Sequence, residues 1–313
     1  MVTPLPLPAR AALLALTFAL CVAAVSRADV AGQRTVDLPL LLDLPGDLAP
    51  VRYTPGALDR AASVQMRFEL LAEEFARTRF QATAIVVYVL SPDDWAQAGL
   101  THPYGEPEAL GTDALVVPAW ADAEMIGRVR GWLGGKIPVS VGLPLLATRE
   151  EAGALGVADI LAQIAGGRLL AKRAHLIGDR PWMLPVMGHL VSRLAWDRFE
   201  PGRIREIAAQ LDAMAAQDKS PGGHTLAEWD ERLPMPQRAW FESRFVRAAD
   251  LIVTTEGARA ARKIMNRAIV GTQPLNEAGL LKEVPALAGW LAQSFEAPGE
   301  TPPAPPVAPA APN

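Results

Sequence analysis

Hydrophobic and polar positions divide the chain into segments with different periods. After the turn at Pro55-Gly56, apolar residues recur at Leu58, Ala61, Val64, Phe68, Leu71 and Phe75, while Arg60, Arg67, Glu69, Glu73 and Glu74 occupy the intervening positions. This spacing predicts a one-faced helix. The run AIVVYVL over residues 84–90 is apolar throughout and rich in β-branched residues, which predicts a strand buried on both faces. Ser91-Pro92-Asp93-Asp94 then reads as a helix start, with Ser91 as N-cap and Pro92 in the first helical position. A Gly- and Pro-rich loop, THPYGEPEALG, leads to a second short strand over residues 114–118, and a helix from Asp122 through Trp132 is ended by Gly134-Gly135. Before these, TVDLPLLLDL over residues 35–44 predicts an edge strand, or two short ones, interrupted by Pro39.

From about Glu150 the pattern is helical. Helices are predicted over residues 157–176, 184–197, 202–217, 226–232, 237–254, 258–270 and 275–295, the last broken at Pro285. The expected fold class is therefore α+β: a small mixed β-sheet in the N-terminal half, followed by an all-helical C-terminal half. The expected organisation is a leader over 1–28, a mixed subdomain over 29–150, a helical subdomain over 151–296 and a Pro/Ala-rich tail over 297–313.

Both ends differ in composition from the body. Arg10 precedes the apolar run AALLALTFALCVAAV, which has the length of a signal-peptide core and is short for a membrane span. Ser26 and Ala28 supply the small residues read by signal peptidase, so cleavage after Ala28 and an exported, periplasmic or extracellular, mature chain are expected; an uncleaved N-terminal anchor is the alternative. Leu20 before Cys21 is too bulky for lipoprotein processing. Cys21 is the only cysteine, so its removal would leave neither disulfide nor thiolate chemistry. The tail, APGETPPAPPVAPAAPN, cannot bury a core and is expected to be extended.

The formal charge of −4, which becomes more negative without Arg10 and Arg27, and the lack of any basic block argue against nucleic-acid binding. Beyond the leader no further long uncharged apolar stretch predicts a membrane span in the mature chain. There is no Gly-x-Ser-x-Gly elbow, and GWLGGK lacks phosphate-loop spacing. Asp93-Asp94 and Glu73-Glu74 read as a helix start and a solvated face. The four histidines are His102, His175, His189 and His224. His175 and His189 fall on successive helices and, with Asp179 or Glu200, form a candidate irregular metal site; a buried neutral His189 satisfied by a backbone partner is the alternative.

The helix pair itself carries a resemblance. An apolar helix, VADILAQIAGGRLLAKRAHL, is followed by Pro181-Trp182-Met183-Leu184-Pro185 and a second apolar helix, VMGHLVSRLAW. This layout resembles the gluzincin-type zinc metallopeptidases, in which one helix carries His-Glu-x-x-His and the next opens with a segment bearing the third, carboxylate ligand. Two His one turn apart grip the metal, and the Glu between them deprotonates its water. Softer similarity extends over VVYVLSPDDW, HPYGEP and DALVVPA upstream and WFESRFVRAADLIVTTEGARAARKIMNRAI downstream, so the resemblance covers roughly residues 51–295. It implies a zincin-like fold. Laid on this chain, the His-Glu-x-x-His positions fall on Ala162, Gln163 and Gly166, and the third ligand on Pro185. None of these can ligate zinc or act as a base, so the resemblance implies a vestigial site with no metal, no cofactor and no catalysis. The expected function is an exported, inactive metallopeptidase-like protein that binds a peptide or an envelope-protein partner. The alternatives are an active metal-dependent hydrolase on His175 and His189, and a structural envelope protein of unrelated α+β fold.

Overall fold

The computed structural model describes residues 36, 38, 40–78, 84–137, 148–174, 180–200, 202–220, 224–270 and 275–295. The expected leader, the tail, His175 and Asp179 lie outside the described residues.

Five strands form one mixed sheet: β1 (Leu42–Leu44), β2 (Val51–Tyr53), β3 (Val86–Leu90), β4 (Glu108–Leu110) and β5 (Ala114–Pro118), in the order β1-β2-β3-β5-β4. The central three are parallel, and β1 and β4 close the two edges antiparallel. The apolar run around β3 predicted burial on both faces, and the pleat accounts for it: Val87 and Val89 enter the main core, while Tyr88 and Leu90 enter a smaller one with Val36, Leu38 and Trp95. In β5, Leu115 and Val117 share the first core and Val116 the second.

Helix α1 (Leu58–Ala76) follows β2 and buries Ala61, Val64, Phe68, Leu71 and Phe75 of the expected stripe, but Leu58 is exposed. Arg60 and Glu74, expected to face water, are buried because they pair with Asp159 and Arg262. The short α2 (Pro92–Gln97) begins at Ser91, whose hydroxyl accepts from the Asp94 N–H at 3.1 Å. Asp122 caps α3 (Ala123–Trp132), and Gly134 and Gly135 end it at φ of 65° and 96°.

The helical half comprises α4 (Arg149–Arg173), α5 (Met183–Phe199), α6 (Arg203–Ala215), α7 (Met235–Val270), α8 (Glu277–Glu283) and α9 (Ala286–Phe295). Every residue from Gly153 to Ala171 of α4 is buried, which explains why the sequence shows no amphipathic stripe there. It is the one helix among the described residues long and apolar enough to cross a membrane, and its apolar window lies wholly inside the protein. It begins about two turns before the predicted start because Thr148 and Glu151 form a capping box. Gly257, at φ 80° and ψ 158°, breaks α7 where the sequence predicts two helices. The helix predicted over 226–232 is instead a single 3₁₀ turn, Leu226–Glu228. Trp229 leaves helical geometry at ψ 121° and packs on Phe241 and Phe245, so tertiary packing overrides a weak local preference.

The main core is continuous across both halves, joining Val51, Phe75 and Val89 to Leu170, Leu190, Phe245 and Trp290. The architecture is thus mixed, with the small sheet in the N-terminal half and helices through the C-terminal half.

Candidate functional site

Helices α4 and α5 run antiparallel and touch most closely at two glycines. A Cβ on Gly167 would lie 2.4 Å from the Gly188 carbonyl oxygen, and a Cβ on Gly188 would lie 2.8 Å from the Arg168 backbone nitrogen. Only residues without side chains permit this approach. The Ser192 hydroxyl then donates to the Gln163 carbonyl at 3.2 Å, and the Trp196 indole donates to the Gln163 side chain at 2.5 Å. These contacts set the register that delivers His189 beside Glu242 of α7, with Nε2 and Oε2 2.6 Å apart.

Glu242 is the centre of a buried ionic cluster. Its other carboxylate oxygen accepts from Arg168, whose guanidinium lies 5.6 Å from the centre of the Trp229 ring. Burial opposes ionisation of Glu242, but the Arg168 charge, the His189 hydrogen bond and charge, and the Arg238 charge outweigh it and hold the carboxyl at about 2. One turn earlier on α7, Arg238 pairs with Glu106 and also donates to the Glu231 carbonyl at 3.0 Å. Glu106 reaches α7 from the THPYGEP loop. Glu108 holds that loop by accepting from the Thr101 and His102 N–H groups at 2.8 and 2.9 Å and from the Thr101 hydroxyl at 3.0 Å. Gly105 adopts φ 92° where a Cβ would strike Met125. In the same loop the Tyr104 hydroxyl donates to the Trp120 carbonyl at 2.6 Å, and burial pushes its ionisation up.

Above this cluster lies a cavity of about 190 Å³ between the edge strand β4, one face of α4 and the segment leading into α7. From α4 it is lined by Leu161, Ile164, Ala165, Arg168, Leu169 and Lys172, with β4 contributing Glu108 and Ala109. The spacing of Leu161, Ile164, Ala165, Arg168 and Lys172 is that of a single helix face.

The positions singled out by the peptidase resemblance lie elsewhere on the helix pair. Gly166 faces α1, where a Cβ would meet the Phe68 ring at 2.4 Å. It stands two residues, or about 200° of helical turn, from Arg168. Ala162 is buried in the main core, and Gln163 is engaged by Trp196. Pro185 is the third residue of α5, because Trp182 is the N-cap; its missing N–H falls among the donors that no helix start satisfies. The α4 positions that face the cavity with the His-Glu-x-x-His spacing are Ile164, Ala165 and Arg168. Of the candidate histidine pair, His189 is fully buried and held by a side-chain carboxylate rather than by backbone.

A second buried cluster ties α1 to α4. Asp159 pairs with Arg60 and Arg67, and Arg60 donates to the Pro118 carbonyl at 3.2 Å. Burial raises the Asp159 carboxyl, but the two guanidinium charges hold it below the ordinary range. None of its residues lines the α4 cavity, and it serves to fix α4 against α1 and the end of β5.

In chemical terms the cavity offers hydrogen-bond donors and apolar surface. Thr101, its one hydroxyl-bearing lining residue, is engaged by Glu108. Among the described residues no three His, Cys, Asp or Glu side chains converge as a metal site would require. Arg168, Arg238, Glu106 and Glu242 were not marked by sequence reasoning, although Arg168 is the one cation between Arg149 and Lys172 of a mostly apolar helix and Glu242 stands among aromatics in WFESRF. Comparison with family profiles, curated proteins and solved structures gave no match to this chain.

Proposed function

We propose that this chain is an exported binding module for extended polypeptide, built on a metallopeptidase-like, zincin-like scaffold that carries no catalytic centre. The observation that carries the reading is the position of β4. It is an edge strand of the sheet and lies beside the α4 cavity, with half-buried Ala109 lining it. An edge strand can add a further strand through backbone hydrogen bonds, and an adjoining cavity can accept one of that strand's side chains. The residues that α4 directs at the cavity support binding over hydrolysis. Ile164 and Ala165 have no ligating atoms, and Arg168 carries a fixed positive charge that cannot ligate a cation. Export rests on the leader composition, and N-terminal sequencing of secreted protein should begin at Asp29.

Fluorescently labelled, extended peptides titrated into the purified protein provide the test. Saturable binding is expected, lost when alternate peptide nitrogens are methylated and when Ala109 is replaced by Pro in a variant shown by circular dichroism to be folded. Equal binding of the methylated peptides would overturn strand addition. Release of fragments from an unfolded protein substrate, together with one tightly held zinc per chain, would overturn the non-catalytic reading.

A further inference from the structure

We infer that the α4 cavity is a carboxylate pocket, so that the polypeptide taken along β4 carries either an acidic side chain or its own C-terminus into the cavity. The inference rests on the strand-addition reading and specifies its ligand.

The argument is a census of donors and acceptors. Four cationic side chains, Arg168, Lys172, Arg232 and Arg238, line the cavity together with three carboxylates, Glu108, Glu231 and Glu242. Each oxygen of the two most buried carboxylates already has a donor. Both oxygens of Glu242 are taken, one by Arg168 and one by His189, and both oxygens of Glu108 are taken by Thr101 and His102. Glu231 accepts from Lys172 at 2.6 Å. Arg232 is paired with Asp230 and Arg238 with Glu106, but Arg168 and Lys172 keep donors to give. Arg168 donates through Nη1 alone, leaving Nε and Nη2 without an acceptor among the described residues, yet neither atom is sealed from the cavity as an orphaned buried donor would be. Lys172 has donors beyond the one given to Glu231. Arg168 is nevertheless nine-tenths buried, and its guanidinium is fixed by Glu242 on one side and Trp229 on the other.

A preoriented guanidinium with spare N–H groups, beside an ammonium, fits the two oxygens of a carboxylate. Apolar Leu161, Ile164 and Ala165 on the same wall would contact the aliphatic part of the ligand. A cavity of about 190 Å³ admits one side chain or one chain terminus rather than a folded element.

The test uses the full chain and four versions of one extended peptide, with a free or amidated C-terminus, each carrying Glu or Gln at one internal position. Calorimetry should show the amidated Gln peptide binding about tenfold or more weaker than the tightest form. Rescue by internal Glu assigns an acidic side chain, and rescue only by the free terminus assigns the C-terminus. R168K keeps a cation for Glu242 but loses the fork, and K172Q alters a partly exposed residue; both should bring the carboxylate peptides towards the affinity of the amidated Gln peptide. Equal affinity for all four peptides, with binding still abolished by N-methylation, would overturn the carboxylate pocket and leave strand addition standing. If no peptide binds, glutarate decides: quenching of Trp229 fluorescence in the parent but not in R168K would retain the pocket and remove the strand reading. The lack of that quenching would remove both.

Discussion

His189 and Glu242, fifty-three positions apart in sequence, meet at 2.6 Å with both side chains buried, and Nδ1 on the far side of the imidazole has no partner among the described residues. With Arg168 on the other carboxylate oxygen, the pair joins α4, α5 and α7 through one buried anion. A buried charge is tolerated only while its partners remain, since removing one leaves the others uncompensated in a medium that solvates them poorly.

Replacing Glu242 by Gln should therefore destabilise the fold by about 3–5 kcal/mol, measured by urea denaturation, because Arg168 stays buried without its counter-ion. The double variant Arg168→Met/Glu242→Leu should be markedly less destabilised than Glu242→Gln alone, as apolar groups of similar size carry no charge to desolvate. A double variant as unstable as the single one would show that packing, not charge, dominates at this position.

Acid stability should follow the same carboxylate. Its folded value of about 2 lies below the ordinary 4.5, so its contribution is present above pH 4.5 and is lost as pH falls from 4.5 towards 2. Asp159, held low by Arg60 and Arg67, acts with the same sign. Denaturation midpoints across that window should fall steeply in the parent and less steeply in Glu242→Gln. Parallel slopes would mean that other carboxylates control acid unfolding.

Much of the sheet and helix order was legible in the residues, and the site was not, for physical reasons. Strand β3 and helix α2 announce themselves locally, through a β-branched run and a Ser-Pro start, and the structure places both within a residue or two of the expected bounds. The start of α4 was also written locally, in Thr148-x-x-Glu151, although hydrophobic period alone does not show it. Glu242 finds Arg168 across seventy-four positions and His189 across fifty-three, and no local pattern encodes such meetings. The facing of α4 posed a related difficulty. A helix buried on every side has no polar stripe to orient it, so its period cannot tell that Arg168 faces the cavity and Gly166 faces Phe68.

Glycine substitutions should separate close approach from mere flexibility. Gly167→Ala and Gly188→Ala each place a methyl group against neighbouring backbone, at 2.4 and 2.8 Å, which neither helix can relieve by rotating a side chain. Each should lower stability by about 1–3 kcal/mol or more and displace His189 from Glu242. Gly127→Ala, in an exposed turn of α3 with open space around it, should instead raise stability by about 0.5–1 kcal/mol. Thermal denaturation of the three variants side by side checks this, and a stable Gly188→Ala protein would contradict the packing described for α4 and α5.

The alkaline side of the stability profile should depend on His224. Its Nε2 lies 2.6 Å from Asp218 and its Nδ1 3.0 Å from Glu228, and its ring packs edge-on to Trp240 at 5.0 Å. Burial favours the neutral ring, but hydrogen bonds and charge from the two carboxylates outweigh it and raise the pKa above 6.5. A raised folded value means that the stabilisation is complete below pH 6.5 and is lost as pH rises through the folded pKa. The parent should accordingly become easier to unfold with urea on moving from pH 6 to mildly alkaline pH. His224→Gln keeps hydrogen-bonding capacity but no ionisable ring, so it should be less stable than the parent at pH 6 and should lack the parent's decline above it. Titration of the His224 ring by NMR, with a midpoint at or below 6.5, would remove the basis for this prediction, because two carboxylates that stabilise an imidazolium must shift its titration upward.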